Sequence, residues 1–392
     1  MSKLNILVIG TGMYVCGRGT GNYGTIMPAI IEWEKGADAG EIIIAGRSAA
    51  GIRAAKAKIN ELIGLTGSDI GVKYLPSATG VNDAKAYLKA INTIEKPACA
   101  IIATPDNLHR QMAAAAINAG LHTLVVKPLV PTVREAKALV KMQKQKGVFC
   151  AVEFHKRYDQ ANLKLKEAVE DGSIGDPLYF LAEFSQRKSM PEKVFRRWAA
   201  TTNIFQYLGI HYADMVYFVT GAKPLRAMAS GQSYWLKGKG INTYDAVEAV
   251  IEWRMKNGMK FVSHILTNWI DPDKTSAMSD QRIKVIGTKG RYESDQKDRG
   301  ITVVTDGKGI EQLNPYFCCP FGKKGGISYS GYGIDSVCRF LDDVSSIEEG
   351  SATPEGLEGR RPTFRDAVVP TAVLEAVNAS LRSGGKWVEV SA

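Results

Sequence analysis

Short apolar runs that alternate with alanine- and lysine-rich stretches over the first 150 residues constrain this chain more than any other feature. Residues 3–9, 41–45, 97–103 and the run Leu124-Val125-Val126 are continuously apolar or nearly so, the pattern of strands buried on both faces. Residues 49–64, 84–92 and 111–119 carry helical spacing, and 72–75 adds a short strand. Strands and helices in alternation predict βαβ units and a parallel sheet. Ligands bind at the carboxyl edge of such sheets.

Three strand ends carry residues suited to that edge. The first strand runs into Gly10-Thr11-Gly12-Met13. Glycines permit a tight turn there and let backbone amides approach a pyrophosphate at the start of the next helix. A third glycine at position 15 would complete the usual fingerprint, but Val15 is present and helical spacing resumes only near Ile26. The loop is therefore longer than usual, and the glycine that packs helix on strand is expected near Gly24. The second strand ends in Gly46-Arg47-Ser48, where a site for NAD usually offers a carboxylate. Arg47 and Ser48 suit a 2′-phosphate, which favours NADP over NAD; an arginine stacked on adenine or solvated is the alternative. The run 124–126 ends in Lys127-Pro128. A following proline favours extended backbone, which aims Lys127 into the crevice; a solvated lysine is the ordinary alternative.

A helix over 163–171 is closed by Gly172, and beyond Pro177 the pattern changes to strands in series, at 178–184, 225–234, 246–255, 259–266 and 282–286, with one inserted helix over about 203–219. This predicts a mostly antiparallel sheet in an α+β second domain. The expected domains are 1–150, a Rossmann domain, and 151–392, for substrate and oligomerisation. The last helix, 364–382, is a candidate to pack back on the first domain, with Pro370 kinking it or sitting near its first turn. In the inserted helix Tyr207, His211 and Asp214 recur at i, i+4 and i+7 and so share a face. A phenol, an imidazole and a carboxylate together can bind and deprotonate a hydroxyl; a hydrogen-bonded core histidine beside an exposed aspartate is the alternative. His155, Arg157 and Arg197 are candidate substrate contacts, because arginine forks suit a carboxylate or phosphate.

The formal net charge of +10 fits an anionic ligand, and the sequence lacks the motifs of a nucleic-acid binder. No apolar run approaches the ~20 residues of a membrane span. The amino-terminal stretch Met1-Ser2-Lys3 enters a strand pattern at once and reads as lacking a signal peptide, so the cytoplasm is the expected compartment. Six cysteines without paired spacing predict free thiols and no metal centre.

Gly10-Thr11-Gly12, Ala103-Thr104-Pro105-Asp106-Asn107-Leu108-His109, Lys127-Pro128 and Val152-Glu153-Phe154-His155-Lys156-Arg157-Tyr158-Asp159, in that order, resemble the Gfo/Idh/MocA oxidoreductases. Three departures stand out: the longer glycine loop, Val126 in place of the glutamate usual before Lys-Pro, and His155 in place of a common asparagine. The resemblance implies that Thr104, Pro105, Asn107 and His109 line NAD or NADP with the glycine loop, and that Lys127 lies beside nicotinamide and substrate. Val126 is expected to leave Lys127 without a neighbouring acid.

The resemblance further implies hydride transfer between a secondary alcohol and a ketone on a sugar, sugar acid, nucleotide sugar or cyclitol. His211 matches the family's acid/base, Asp214 matches a substrate contact, and Tyr207 replaces an aspartate. His211 is the preferred base, with Tyr207 holding the substrate; Tyr207 acting as acid/base beside Lys127 is the other mechanism. A homodimer or homotetramer is implied as well. The alternatives are a glycosidase that uses transient oxidation by bound NAD, and a non-catalytic NADP-binding sensor.

Overall fold

A computed structural model describes residues 3–392; Met1 and Ser2, where the reading of the amino terminus began, lie outside the described residues. The chain forms two compact units, residues 1–130, 134–155 and 316–366 in the first and residues 131–133, 156–315 and 367–392 in the second.

The first unit is built on a six-stranded parallel sheet in the order β3-β2-β1-β4-β5-β6. Its elements are β1 (Leu4–Ile9), α1 (Met13–Cys16), α2 (Ile26–Glu34), β2 (Ala39–Ala45), α3 (Ala49–Thr66), β3 (Val72–Leu75), α4 (Ala86–Thr93), β4 (Ala98–Ile102), α5 (His109–Asn118), β5 (His122–Val126), α6 (Val133–Lys146) and β6 (Cys150–Glu153). Ile6, Val8, Ile42, Ile44, Ile101 and Leu124 are buried between sheet and helices, which explains the unbroken apolar runs. Ser48 caps α3, its Oγ accepting from the Gly51 N–H at 3.1 Å.

The second unit carries a seven-stranded sheet in the order β12-β11-β7-β10-β9-β8-β17, in which only β7 and β10 run parallel. It contains α7 (Gln160–Glu170), β7 (Pro177–Arg187), α8 (Ile210–Thr220), β8 (Lys223–Gln232), α9 (Trp235–Gly238), β9 (Ala246–Arg254), β10 (Lys260–Asp271), β11 (Ser279–Gly287), β12 (Arg291–Asp295) and the hairpin β13 (Thr302–Thr305) and β14 (Gly309–Gln312). Strands β15 (Cys319–Phe321) and β16 (Ser328–Ser330) and helix α10 (Tyr332–Glu348) belong to the first unit; α11 (Val368–Arg382) and β17 (Val388–Glu389) belong to the second.

One expectation about the carboxyl-terminal region is corrected. Residues 316–366, placed by the sequence with the second domain, return to the first unit, where Ile334, Val337, Leu341 and Val344 of α10 join the apolar cluster of α2 and the sheet. The last helix lies in the second unit, where Glu375 Oε2 accepts from the Val133 N–H at 2.8 Å. It packs on β8 and α8, with the Ser380 hydroxyl accepting from the Ala229 N–H at 2.9 Å. Pro370 lies in its first turn, where a missing N–H costs nothing. All six cysteines are free. No helix among the described residues is long and apolar enough to cross a membrane.

Candidate active site

The carboxyl edge of the first sheet gathers the glycine loop after β1, the Thr104-Pro105 turn after β4, Lys127 after β5 and Glu153 at the end of β6. Gly10 has φ +136°, and a Cβ there would fall 2.2 Å from the Ala103 carbonyl oxygen, so only glycine lets the two strand ends lie this close. A Cβ on Gly12 would meet no protein atom within 4 Å. Its backbone is thus open to close approach by a bound group, and the turn fits a dinucleotide pyrophosphate. Met13 opens the one-turn helix α1. Helical structure therefore begins well before Ile26, and Gly24 packs against this turn rather than on a strand. A Cβ on Gly24 would sit 2.5 Å from the Met13 carbonyl oxygen.

Lys127 is buried, with 8% of its surface exposed, and its peptide to Pro128 is cis. Burial lowers its pKa to about 8, against the opposing pull of Asp106 and Glu153. The expectation that Val126 leaves Lys127 without an acid is therefore corrected. The parallel register sets Glu153 beside Val126, so the next strand supplies the carboxylate. Glu153 is itself 2% exposed, and it accepts from the Ser336 hydroxyl at 2.6 Å and meets His155 Nδ1 at 3.0 Å. His155 is further enclosed by Tyr14, Phe317 and Tyr332, with the Tyr14 hydroxyl 3.2 Å from Nδ1. Burial, and then Glu153, push the Tyr14 phenol well above its ordinary pKa.

His109 is buried, with 1% of its surface exposed. Both ring nitrogens face backbone carbonyls, Nδ1 that of Pro128 at 2.7 Å and Nε2 that of Thr104 at 2.9 Å. The imidazole therefore ties the turn after β4 to the segment that carries Lys127. Thr104 points its hydroxyl at Met112 Sδ, 3.5 Å away, and Pro105 leads into a single 3-10 turn containing Asp106 and Asn107. Arg47 is exposed at the end of β2 beside the capping Ser48.

In the second unit the inserted helix runs without interruption over residues 204–220, but its start is not α-helical. Phe205–Gly209 form a π-helical turn before α8. Such a turn holds more residues than an α turn, so the seven-residue spacing does not return Asp214 to the face of Tyr207. Tyr207 packs among Phe195, Trp198 and Trp269, at ring separations of 5.1, 5.8 and 5.5 Å. His211 is buried with its ring 6.4 Å from that of Phe184. Asp214 is turned to Arg157 in a bidentate pair, Nε to Oδ2 at 2.9 Å and Nη2 to Oδ1 at 2.6 Å. These two expected substrate contacts thus neutralise each other inside the fold. Arg197 is exposed.

Two segments match profiles of a single family. Residues 40–154 match its "Oxidoreductase family, NAD-binding Rossmann fold" domain and residues 162–293 its carboxyl-terminal domain. The chain belongs to the Gfo/Idh/MocA family. Its first unit holds the family's NAD(P)-binding Rossmann domain, and the observed sheets match the expected pairing of a parallel and a mostly antiparallel sheet.

Among curated Gfo/Idh/MocA relatives, myo-inositol 2-dehydrogenase of Thermotoga maritima is 29% identical over 57% of this chain and 65% of its own length. The scyllo-inositol 2-dehydrogenase (NAD(+)) of Bacillus subtilis is 29% identical over 48% of this chain and 53% of its own. The chain thus spans between half and two thirds of the length of these relatives. The structure of scyllo-inositol dehydrogenase from Lactobacillus casei with bound NAD(H) and scyllo-inositol superposes with a TM-score of 0.70 over all of both chains, at 15% identity. That likeness shows the fold.

Three charged residues, Asp106 and Glu153 at this edge and Arg18 in the glycine loop, carry no role that the sequence alone predicts. Asp106 and Glu153 stood inside recognised motifs without a role, although a glutamate ending an apolar strand next to that of Lys127 was a usable signal. Arg18 lay in the glycine loop, and nothing in its spacing distinguishes it from a solvated arginine.

Proposed function

We propose that the protein is an NAD(P)-dependent dehydrogenase that interconverts a secondary alcohol and a ketone on a sugar, sugar acid, nucleotide sugar or cyclitol. The observation that carries this reading is Lys127, a buried lysine at the carboxyl edge of a dinucleotide-binding sheet, with its pKa lowered to about 8. A lysine so perturbed at a ligand edge is suited to polarise a reacting oxygen near neutral pH. Its inositol dehydrogenase relatives support the substrate class.

Gly10, Thr11, Gly12 and Met13 hold the pyrophosphate, and Thr104, Pro105 and Asn107 border the nicotinamide half. Hydride acceptance is the chemistry that the nicotinamide supplies when bound. Lys127 orients the substrate hydroxyl and stabilises negative charge as it develops on oxygen. His211 takes the hydroxyl proton, and Tyr207 positions the substrate ring from its aromatic setting. The outer face of the second sheet, where Tyr179, His264 and Ile270 are exposed, supports a homodimer or homotetramer.

The test is a screen of cyclitols, sugars and sugar acids for cofactor reduction by wild type and Lys127→Met, alongside cofactor titration. Turnover by wild type, lost in Lys127→Met while cofactor still binds, supports the reading. Tight cofactor binding with no net reduction over the whole screen overturns it in favour of transient-oxidation chemistry or a sensor.

A further inference from the structure

We propose that Arg18, from the segment that lengthens the glycine loop, selects a cofactor bearing a phosphate on its adenosine ribose by completing a phosphate corner with Thr11 and Ser48. The inference rests on the dinucleotide reading above and names which form of the cofactor the site takes.

Three polar side-chain atoms from three separate segments surround one point beside the end of β2. A Cβ placed on Gly51 would lie 2.9 Å from Ser48 Oγ, 3.0 Å from Arg18 Nη1 and 3.2 Å from Thr11 Oγ1. Gly51 keeps that point clear. The chain reaches this place because Gly17, in the left-handed conformation at φ 72°, ends α1 and turns residue 18 back towards α3. A three-glycine fingerprint running directly into its helix has no residue here.

The electrostatics favour an anion. Arg18 is half-buried, and among the described residues no carboxylate and no other acceptor engages its guanidinium. The end of β2 offers Gly46, Arg47 and Ser48, with no acid to bond a ribose diol or repel a phosphate. The nearby Asp83, whose backbone N–H bonds the Arg47 carbonyl, gives its carboxylate to Lys89 at 2.7 Å and to the Lys85 N–H at 2.9 Å. An unpaired guanidinium flanked by two hydroxyls can hold a phosphate through charge-assisted bonds, whereas a neutral ribose hydroxyl gains little from the same group.

The test is calorimetric titration of the full chain with NADP, NAD, adenosine 2′,5′-bisphosphate and 5′-AMP. Wild type is expected to bind NADP over NAD, and the bisphosphate over AMP, by tenfold or more. Arg18→Gln should cut both preferences roughly 10- to 100-fold, the loss falling on the phosphorylated ligands. Arg18→Lys, which keeps the charge but not the fork, should restore part of it. A wild type that prefers NAD overturns the role of Arg18 and leaves the dehydrogenase reading standing. So does an Arg18→Gln protein that loses NAD and NADP equally, or a loss of preference seen only in Arg47→Gln. A wild type that binds neither dinucleotide overturns both.

Discussion

Glu153 stands directly across the β5–β6 ladder from Val126, the residue before Lys127. The acid missing from one strand is thereby supplied by its neighbour, because parallel strands in register bring residues distant in sequence to the same level of the edge. Glu153 and Asp106 hold the Lys127 pKa up, while burial, the larger effect, brings it down to about 8. Glu153→Gln removes one of the two supporting charges and should lower the Lys127 pKa further, by about one unit. Competitive amine labelling across pH, with Lys127 followed by mass spectrometry, reads this directly. An unchanged labelling midpoint would show that Glu153 does not act on Lys127.

The same lysine sets a stability prediction. Its pKa lies below that of an unfolded lysine, ~10.4, so between about 8 and ~10.4 the unfolded chain binds a proton that the folded chain does not. The stability due to this group is fully present above that window and is lost as pH falls through it. Lys127→Met should therefore stabilise the protein by roughly 1 to 3 kcal/mol below pH 8, with the gain shrinking to nothing near ~10.4. Urea unfolding of both proteins at neutral pH and at high pH measures it. A gain independent of pH would point to better packing by methionine instead.

The Arg157–Asp214 pair predicts the opposite response to a single change. Both groups are more than nine-tenths buried and doubly bonded, so removing one partner strands the other's charge inside the fold. Asp214→Asn should cost about 3–5 kcal/mol. Replacing both, as Arg157→Met with Asp214→Leu, should recover most of that loss, since a well-packed apolar pair often equals a buried ion pair. A double-mutant cycle by denaturant unfolding checks it, and a coupling near zero would refute the pairing.

How much of this was legible in the sequence depends on range. Strands β1, β2, β4 and β5 of the first sheet are legible because they are apolar runs closed within a few residues by glycine or proline, and the edge residues Gly10 and Lys127 sit at those closures; β6, ending in Glu153-Phe154, carries no such mark. Helix α10 went unread: its apolar positions, Ile334, Val337, Leu341 and Val344, follow a long irregular stretch, and only the tertiary return to α2 buries them. The π turn at 205–209 is invisible to a 3.6-residue template, which sets Tyr207 and Asp214 on one face. Arg157 and Asp214 look like open charges in the sequence because their pairing spans 57 residues. Glu153, and the convergence of Arg18 with Ser48 and Thr11, depend on which strands and turns are neighbours, and periodicity along the chain does not report that.

His109 gives the last prediction. With its ring nitrogens 2.7 and 2.9 Å from the carbonyl oxygens of Pro128 and Thr104, it fastens two loops of the edge to each other. His109→Leu keeps much of the volume but removes the N–H that the imidazole offers to this pair of buried carbonyls, at a cost of about 1–3 kcal/mol. Because one of those carbonyls belongs to the residue after Lys127, the loss should reach the site as well as the fold. In the proposed dehydrogenase, turnover should fall by tenfold or more while the dissociation constant for cofactor changes much less, since the glycine loop is untouched. His109→Gln, with one amide donor group, should recover part of both stability and turnover. Thermal unfolding and steady-state kinetics on the two variants separate the effects. Equal loss of cofactor binding and turnover in His109→Leu would instead place the imidazole against the cofactor, where the sequence alone had put it.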